Sequence, residues 1–119
     1  LHPPDPGLQV KMDARMIEQV LINLVKNSME AVRSQTLRKI TLAVTQTGRE
    51  LLISVEDTGT GIPSDQMESI FMPFFSTKER GTGVGLSFSQ HVMRLHQGFI
   101  RVTSSPDKGS LFQLVFDRR

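Results

Sequence analysis

The 119-residue chain predicts a single α/β domain, a two-layer sandwich in which a mixed, mostly antiparallel sheet carries its helices on one face. Three observations carry that expectation. A long amphipathic helical segment lies near the start, two pairs of alternating segments are each closed by a turn sequence, and a glycine-rich interval separates the pairs. The resulting order is strand, helix, strand, strand, irregular stretch, helix, strand, strand.

Residues 1–7 hold Pro3, Pro4, Pro6 and Gly7 and read as an extended linker remnant of a longer protein, with the domain itself over 8–119. They lack the basic start and apolar stretch of a signal peptide. Residues 8–12 fit a short edge strand. Asp13 then offers an N-cap to a helix over 14–33, where Ile17, Val20, Leu21, Leu24, Val25, Ala31 and Val32 share one broad arc. Next, Ile40, Leu42 and Val44 alternate with Thr41, Ala43 and Thr45, and Leu51, Ile53 and Val55 alternate with Leu52, Ser54 and Glu56. The residues around Gly48 between them read as a hairpin turn. From 57 to 85 the periodicity gives way to glycine, proline and polar residues, apart from a short helix expected over 64–70. So long an irregular stretch in a small domain points to function. A second helix is expected over 84–96, with Gly98 just past its end. Residues 99–104 and 110–116 form the last hairpin.

Composition narrows the function classes. Hydrophobic residues at 38% and charged residues at 22% belong to a globular chain, not a disordered one. No apolar run approaches the roughly 20 residues that cross a bilayer. The absence of cysteine excludes disulfides, thiolate metal sites and a cysteine nucleophile, and agrees with a cytoplasmic location. A net charge of +2 comes from scattered basic residues, and there is no Tyr or Trp to stack on bases, which argues against a nucleic-acid partner.

Four segments are candidates for chemistry. Asn23, Asn27 and Glu30 lie on one helix face beside the apolar arc, either as its solvated side or as hard oxygen ligands of the kind Mg²⁺ accepts. Asp57-Thr58-Gly59-Thr60-Gly61-Ile62 is either a turn or a recognition segment. Strand parity continues Leu51, Ile53, Val55 to Asp57, placing its carboxylate on the core side, where it needs donors such as a purine amino group. Gly59 and Gly61 are read as letting backbone approach a ring. Gly81-Thr82-Gly83-Val84-Gly85-Leu86 runs into the second helix, as a hinge or as an anion site, but it is neither a P-loop nor a Rossmann fingerprint. Phe71-Met72-Pro73-Phe74-Phe75-Ser76-Thr77-Lys78 joins core-anchoring aromatics to a lysine able to meet a terminal phosphate. His2, His91 and His96 read as structural, the last two as cations favouring a helix C-terminus. No zinc spacing or hydrolase triad is present.

In order and spacing, Asn23-Leu24-Val25-Lys26-Asn27, the Asp57–Ile62 segment, Phe71-Met72-Pro73-Phe74-Phe75 and the Gly81–Leu86 segment resemble the N box, first glycine box, F box and second glycine box of the catalytic ATP-binding domain of sensor histidine kinases. The resemblance covers nearly the whole chain and implies the Bergerat-type sandwich. It implies that Asn27 holds Mg²⁺ with Asn23 in support, and that Asp57 accepts the adenine amino group near Gly59 and Gly61. Residues from Ile62 to Gly81 form a lid, and Gly81, Gly83 and Gly85, with Thr82, Val84 and Leu86, wrap the phosphates. Ser110 flanks the adenine site, and Thr77 and Lys78 serve the phosphates. The form Phe74-Phe75-Ser76-Thr77-Lys78 is similar to the nitrogen-regulatory kinases.

Two residues depart from the family pattern. Glu30 stands where many members carry a base, so Glu30 is expected to turn aside and Lys78 to replace the missing cation. Thr58 stands where Asn is usual, so a contact there should weaken. Hydrolysing relatives carry glutamate at the position of Asn23, and an amide cannot act as that base. The resemblance therefore implies transfer of the γ-phosphoryl group to a histidine on a separate dimerisation domain, with a response-regulator receiver domain downstream and this fragment monomeric. A degenerate docking module is the alternative that Glu30 and Thr58 keep open.

Overall fold

The computed structural model describes residues 13–72 and 85–117. The strand expected over 8–12 and the segment holding Phe74, Thr77, Lys78, Gly81, Thr82, Gly83 and Val84 lie outside these described residues. Helix α1 spans Ala14–Val32, strand β1 Ile40–Thr47, β2 Glu50–Asp57, α2 Gly85–Leu95, β3 Phe99–Ser104 and β4 Ser110–Asp117. The strands pair antiparallel throughout, in the order β1-β2-β4-β3.

Asp13 starts α1 as its pattern suggests: the backbone is extended (φ −83°, ψ 108°) and Oδ1 accepts the N–H groups of Arg15 and Met16 at 3.1 and 3.2 Å. Such a cap is worth about 1 kcal/mol. One face of α1 (Ile17, Val20, Leu24) and one of α2 (Val92, Met93) pack against Leu51, Val55, Phe112, Leu114 and Phe116. Those five residues share the inner face of β2 and β4 by register, so both helices cover the same side of the sheet. Each well-buried side chain of this kind contributes roughly 1.5–3 kcal/mol.

The helices cover only part of the β1 edge, where Ile40 packs against the core. Leu42 and Val44 belong to the inner face by register with Val55 and Ile53, yet they are 51% and 39% exposed. Central β2 is buried on both faces, with Leu52 and Ser54 covered as well. β1 and β2 are joined by Gly48 and Arg49, with Gly48 at φ 59° in the first central position of a two-residue hairpin turn.

Two local expectations are corrected. The helix expected over 64–70 is a pair of 3₁₀ turns, Ser64–Gln66 and Ser69–Phe71, too polar and too short to present an apolar stripe beyond Ile70 and Phe71. At the end of α2, Gln97 N–H donates to the Arg94 carbonyl (3.0 Å) and Gly98 N–H to the Met93 carbonyl (2.8 Å), a Schellman cap. Its left-handed residue is Gln97 (φ 59°), not Gly98. Gly98 is required for another reason: a Cβ there would run into the Val115 carbonyl of β4 and lie 3.0 Å from Met93 Cε.

Candidate functional site

Helix α1 spaces the site. Asn23, Asn27 and Ala31 follow one another at four-residue intervals, so they form one stripe on the helix, and all three are half-buried. At its first end, Asn23 Nδ2 donates to the Gly85 carbonyl (3.5 Å) and Asn23 Oδ1 accepts from Gln19 Nε2 (3.2 Å). The same Gly85 carbonyl accepts the Ser89 hydroxyl at 2.8 Å, so the first turn of α2 is tied to itself and to α1. At the other end, the Ala31 carbonyl accepts Thr60 N–H at 3.1 Å, and a Cβ on Gly59 would lie only 2.6 Å from Ala31 Cβ. The two glycine segments thus meet one helix eight residues apart, about 12 Å along its axis, with Asn27 midway between them.

Asp57 ends β2 opposite Ser110 of β4 and is 4% exposed, as strand parity indicates. Among the described residues its hydrogen bond is from Gly59 N–H to Oδ1 (2.9 Å). Ser110 is buried beside it, with its hydroxyl 2.9 Å from that of Ser104. Ser104 Oγ donates to the Gly109 carbonyl (3.0 Å) and accepts Ile62 N–H (2.8 Å). The Asp107 N–H donates to the Thr60 carbonyl at 2.7 Å. Residues 59–62 are therefore wedged between α1 and the β3–β4 turn.

That wedge gives two glycines a packing reason of their own, because protein atoms approach both closely. Gly59 lies against Ala31, and Gly61, at φ 74°, lies so close to the Ser105 carbonyl that a Cβ would overlap it. Thr58 is likewise engaged with protein, through Leu37 and Lys39. Leu86, Ile62 and Phe71 are half-buried against the core, while Met72 and Glu30 are exposed. Ser104 and Ser89 bind these segments together without belonging to any motif, although Ser104 follows from parity, since it continues the inner-face series Ile100, Val102.

Chemically, the stripe offers neutral amide oxygens, and the far end offers a buried acid. Among the described residues no group of three or more His, Cys, Asp or Glu gathers to hold a metal. A hard ion here would draw on an amide oxygen, water and its ligand's own oxygens, a donor set that fits Mg²⁺. No helix among the described residues is long and apolar enough to cross a membrane.

The family model described as histidine kinase-, DNA gyrase B- and HSP90-like ATPase matches residues 12–119. The chain belongs to this family. It is 37% identical over 109 residues to sporulation kinase C of Bacillus subtilis (strain 168), covering 92% of this chain and 25% of that protein. It is 38% identical over 106 residues to sensor histidine kinase ZraS of Escherichia coli (strain K12), covering 89% and 22%. The chain thus spans about a quarter of the length of these relatives or less. Among solved structures, the nucleotide-free catalytic domain of histidine kinase ThkA superposes with a TM-score of 0.80 at 34% identity, covering 96% of this chain and 74% of that one. The chain is accordingly an ATP-binding domain with the fold of a histidine kinase catalytic domain.

Proposed function

We propose that this domain binds Mg²⁺-ATP and donates the γ-phosphoryl group to a histidine on a separate acceptor domain of a longer protein. The observation that carries the reading is the stripe on α1. It brings Asn23 to Gly85 and Ala31 to Gly59, so that Asn27 stands between the two glycine segments. Asp57, buried and held by Gly59 N–H, is the acceptor for the adenine amino group, with Ser110 beside it. Asn27 is the ligand for Mg²⁺, which when bound neutralises phosphate charge. Lys78, Thr77 and the residues Gly81, Thr82, Gly83, Val84 and Gly85 are assigned to the phosphates.

The chemistry of Asn23 favours transfer over hydrolysis. Its amide is occupied by Gln19 and Gly85 and has no basic lone pair with which to activate water. Phosphoryl transfer then depends on positioning and charge neutralisation. The receiver domain of a response regulator is the downstream partner in this reading, and the site of action is cytoplasmic.

The test has two stages. With Mg²⁺-ATP at about 100 times the dissociation constant, the domain should gain about 2.7 kcal/mol of stability. Labelled γ-phosphate should then appear on a separately supplied acceptor domain from a related kinase. Binding without label on the acceptor favours a docking module, and steady phosphate release by the domain alone favours an ATPase.

A further inference from the structure

Strand β2 leaves the sheet at residue 58, and the way it leaves assigns a task to Thr58. The β1–β2 ladder is regular up to the pair Ile40 and Asp57. It continues for one bond, from Thr58 N–H to the Lys39 carbonyl (3.1 Å), and then the chain turns towards α1, where Thr60 N–H finds the Ala31 carbonyl. That departure strips the Lys39 N–H and the Leu37 carbonyl of the backbone partners that a longer β2 would supply. The Thr58 hydroxyl serves both: Oγ1 accepts from Lys39 N–H at 2.9 Å and donates to the Leu37 carbonyl at 2.7 Å. A hydroxyl donates and accepts through one atom, so a single side chain closes the end of the hairpin.

This anchor lies one residue from the buried acid. Gly59 N–H reaches back to Asp57 Oδ1 at 2.9 Å, and Gly109 packs against the Asp57 carbonyl from the other side. The direction of the Gly59 N–H, and with it the orientation of the carboxylate, depends on a turn that begins at Thr58. We infer that Thr58 is a positioning residue for base recognition: its bonds to Leu37 and Lys39 fix the 57–59 turn, which holds Asp57 Oδ1 on Gly59 and presents Oδ2 to the base. The inference rests on the proposed reading of Asp57 as the adenine acceptor. A fixed carboxylate meets an amino donor on adenine and a repelling carbonyl at the same place on guanine, whereas a carboxylate free to turn discriminates less.

The experiment pairs two readouts on the domain: calorimetric affinities for Mg²⁺-ADP and Mg²⁺-GDP, and amide hydrogen exchange of Lys39 and Gly59 without nucleotide. Thr58→Val keeps the shape and removes both hydroxyl bonds. It should speed exchange at both amides by about tenfold and lower the ADP-over-GDP preference by about tenfold. Thr58→Ser should keep both near the wild-type values. Thr58→Ala gives the same reading if the valine variant does not fold. A Thr58→Val or Thr58→Ala domain that retains the wild-type preference overturns the inference, as does an equal loss of affinity for the two nucleotides. A wild-type domain with no preference overturns the adenine role of Asp57 and the inference with it, and the exchange rates alone then report whether the clamp exists.

Discussion

The imidazole of His96 joins the start of one helix to the end of the other: Nε2 accepts the backbone N–H of Asp13 at 2.8 Å, and Nδ1 lies 2.7 Å from the Val92 carbonyl. These partners fix the tautomer, with the proton on Nδ1 and a lone pair on Nε2. The ring also stands edge-on to Phe116, with centroids 6.5 Å apart. His96 thus has the structural role that its place in the sequence suggests, as a bridge between two helix ends. Replacing His96 with Ala should lower unfolding stability by about 1–2 kcal/mol through the lost bridge. Urea titration measures this, and a change below about 0.3 kcal/mol would mean that the bridge contributes nothing.

Ser28 is 1% exposed on the core side of α1, and among the described residues its hydroxyl has no hydrogen-bond partner. An unsatisfied buried hydroxyl is a cost, and alanine is the better helix former. Ser28→Ala should raise stability by about 0.5–1.5 kcal/mol, seen as a higher urea midpoint at constant slope. A destabilised variant would show that the hydroxyl has a partner in solution.

Gly61 and Gly48 allow backbone strain to be separated from crowding. Both have positive φ, 74° and 59°, but a Cβ at 48 meets nothing within 4 Å, whereas one at 61 collides with the Ser105 carbonyl. Gly48→Ala should cost about 1–2 kcal/mol from conformation alone. Gly61→Ala should cost at least about 2 kcal/mol more and loosen the turn against the β3–β4 loop. Equal losses would refute the wedge.

Asn27 tests the metal assignment. Asn27→Ala should leave the melting temperature of the free domain within a few degrees of wild type, because the residue is only half-buried. The extra stabilisation that Mg²⁺ adds to ADP should vanish. Thermal melts with Mg²⁺ and with chelator, compared for both proteins, decide it: a persisting difference between the two conditions removes Asn27 as the ligand.

What the sequence made legible is what period and parity encode. The arc of α1, its Asp13 cap, both hairpins and the burial of Asp57 follow from local spacing and are present in the structure. Parity names a face but not what covers it, which is why the exposure of Leu42 and Val44 at the edge was invisible. Close approaches between distant segments are also invisible to local pattern. Gly59 against Ala31, Gly61 against Ser105 and Gly98 against Val115 each pair residues far apart in the chain, so their glycines look like ordinary turn formers. Ser28 sits inside an otherwise apolar arc, where its polarity reads as an interruption.

The eight-residue interval between Asn23 and Ala31 makes α1 a measuring rod, and rods are sensitive to length. One residue inserted or deleted there would turn everything beyond it by about 100° and slide it by about 1.5 Å. Asn23 would still face Gly85 while Ala31 swung away from Gly59, disassembling the site without changing any of its side chains. Variation by insertion or deletion should accordingly be admissible in the two-residue bend at Gly48 and Arg49 and inadmissible between the two asparagines and Ala31, however mild the residue introduced.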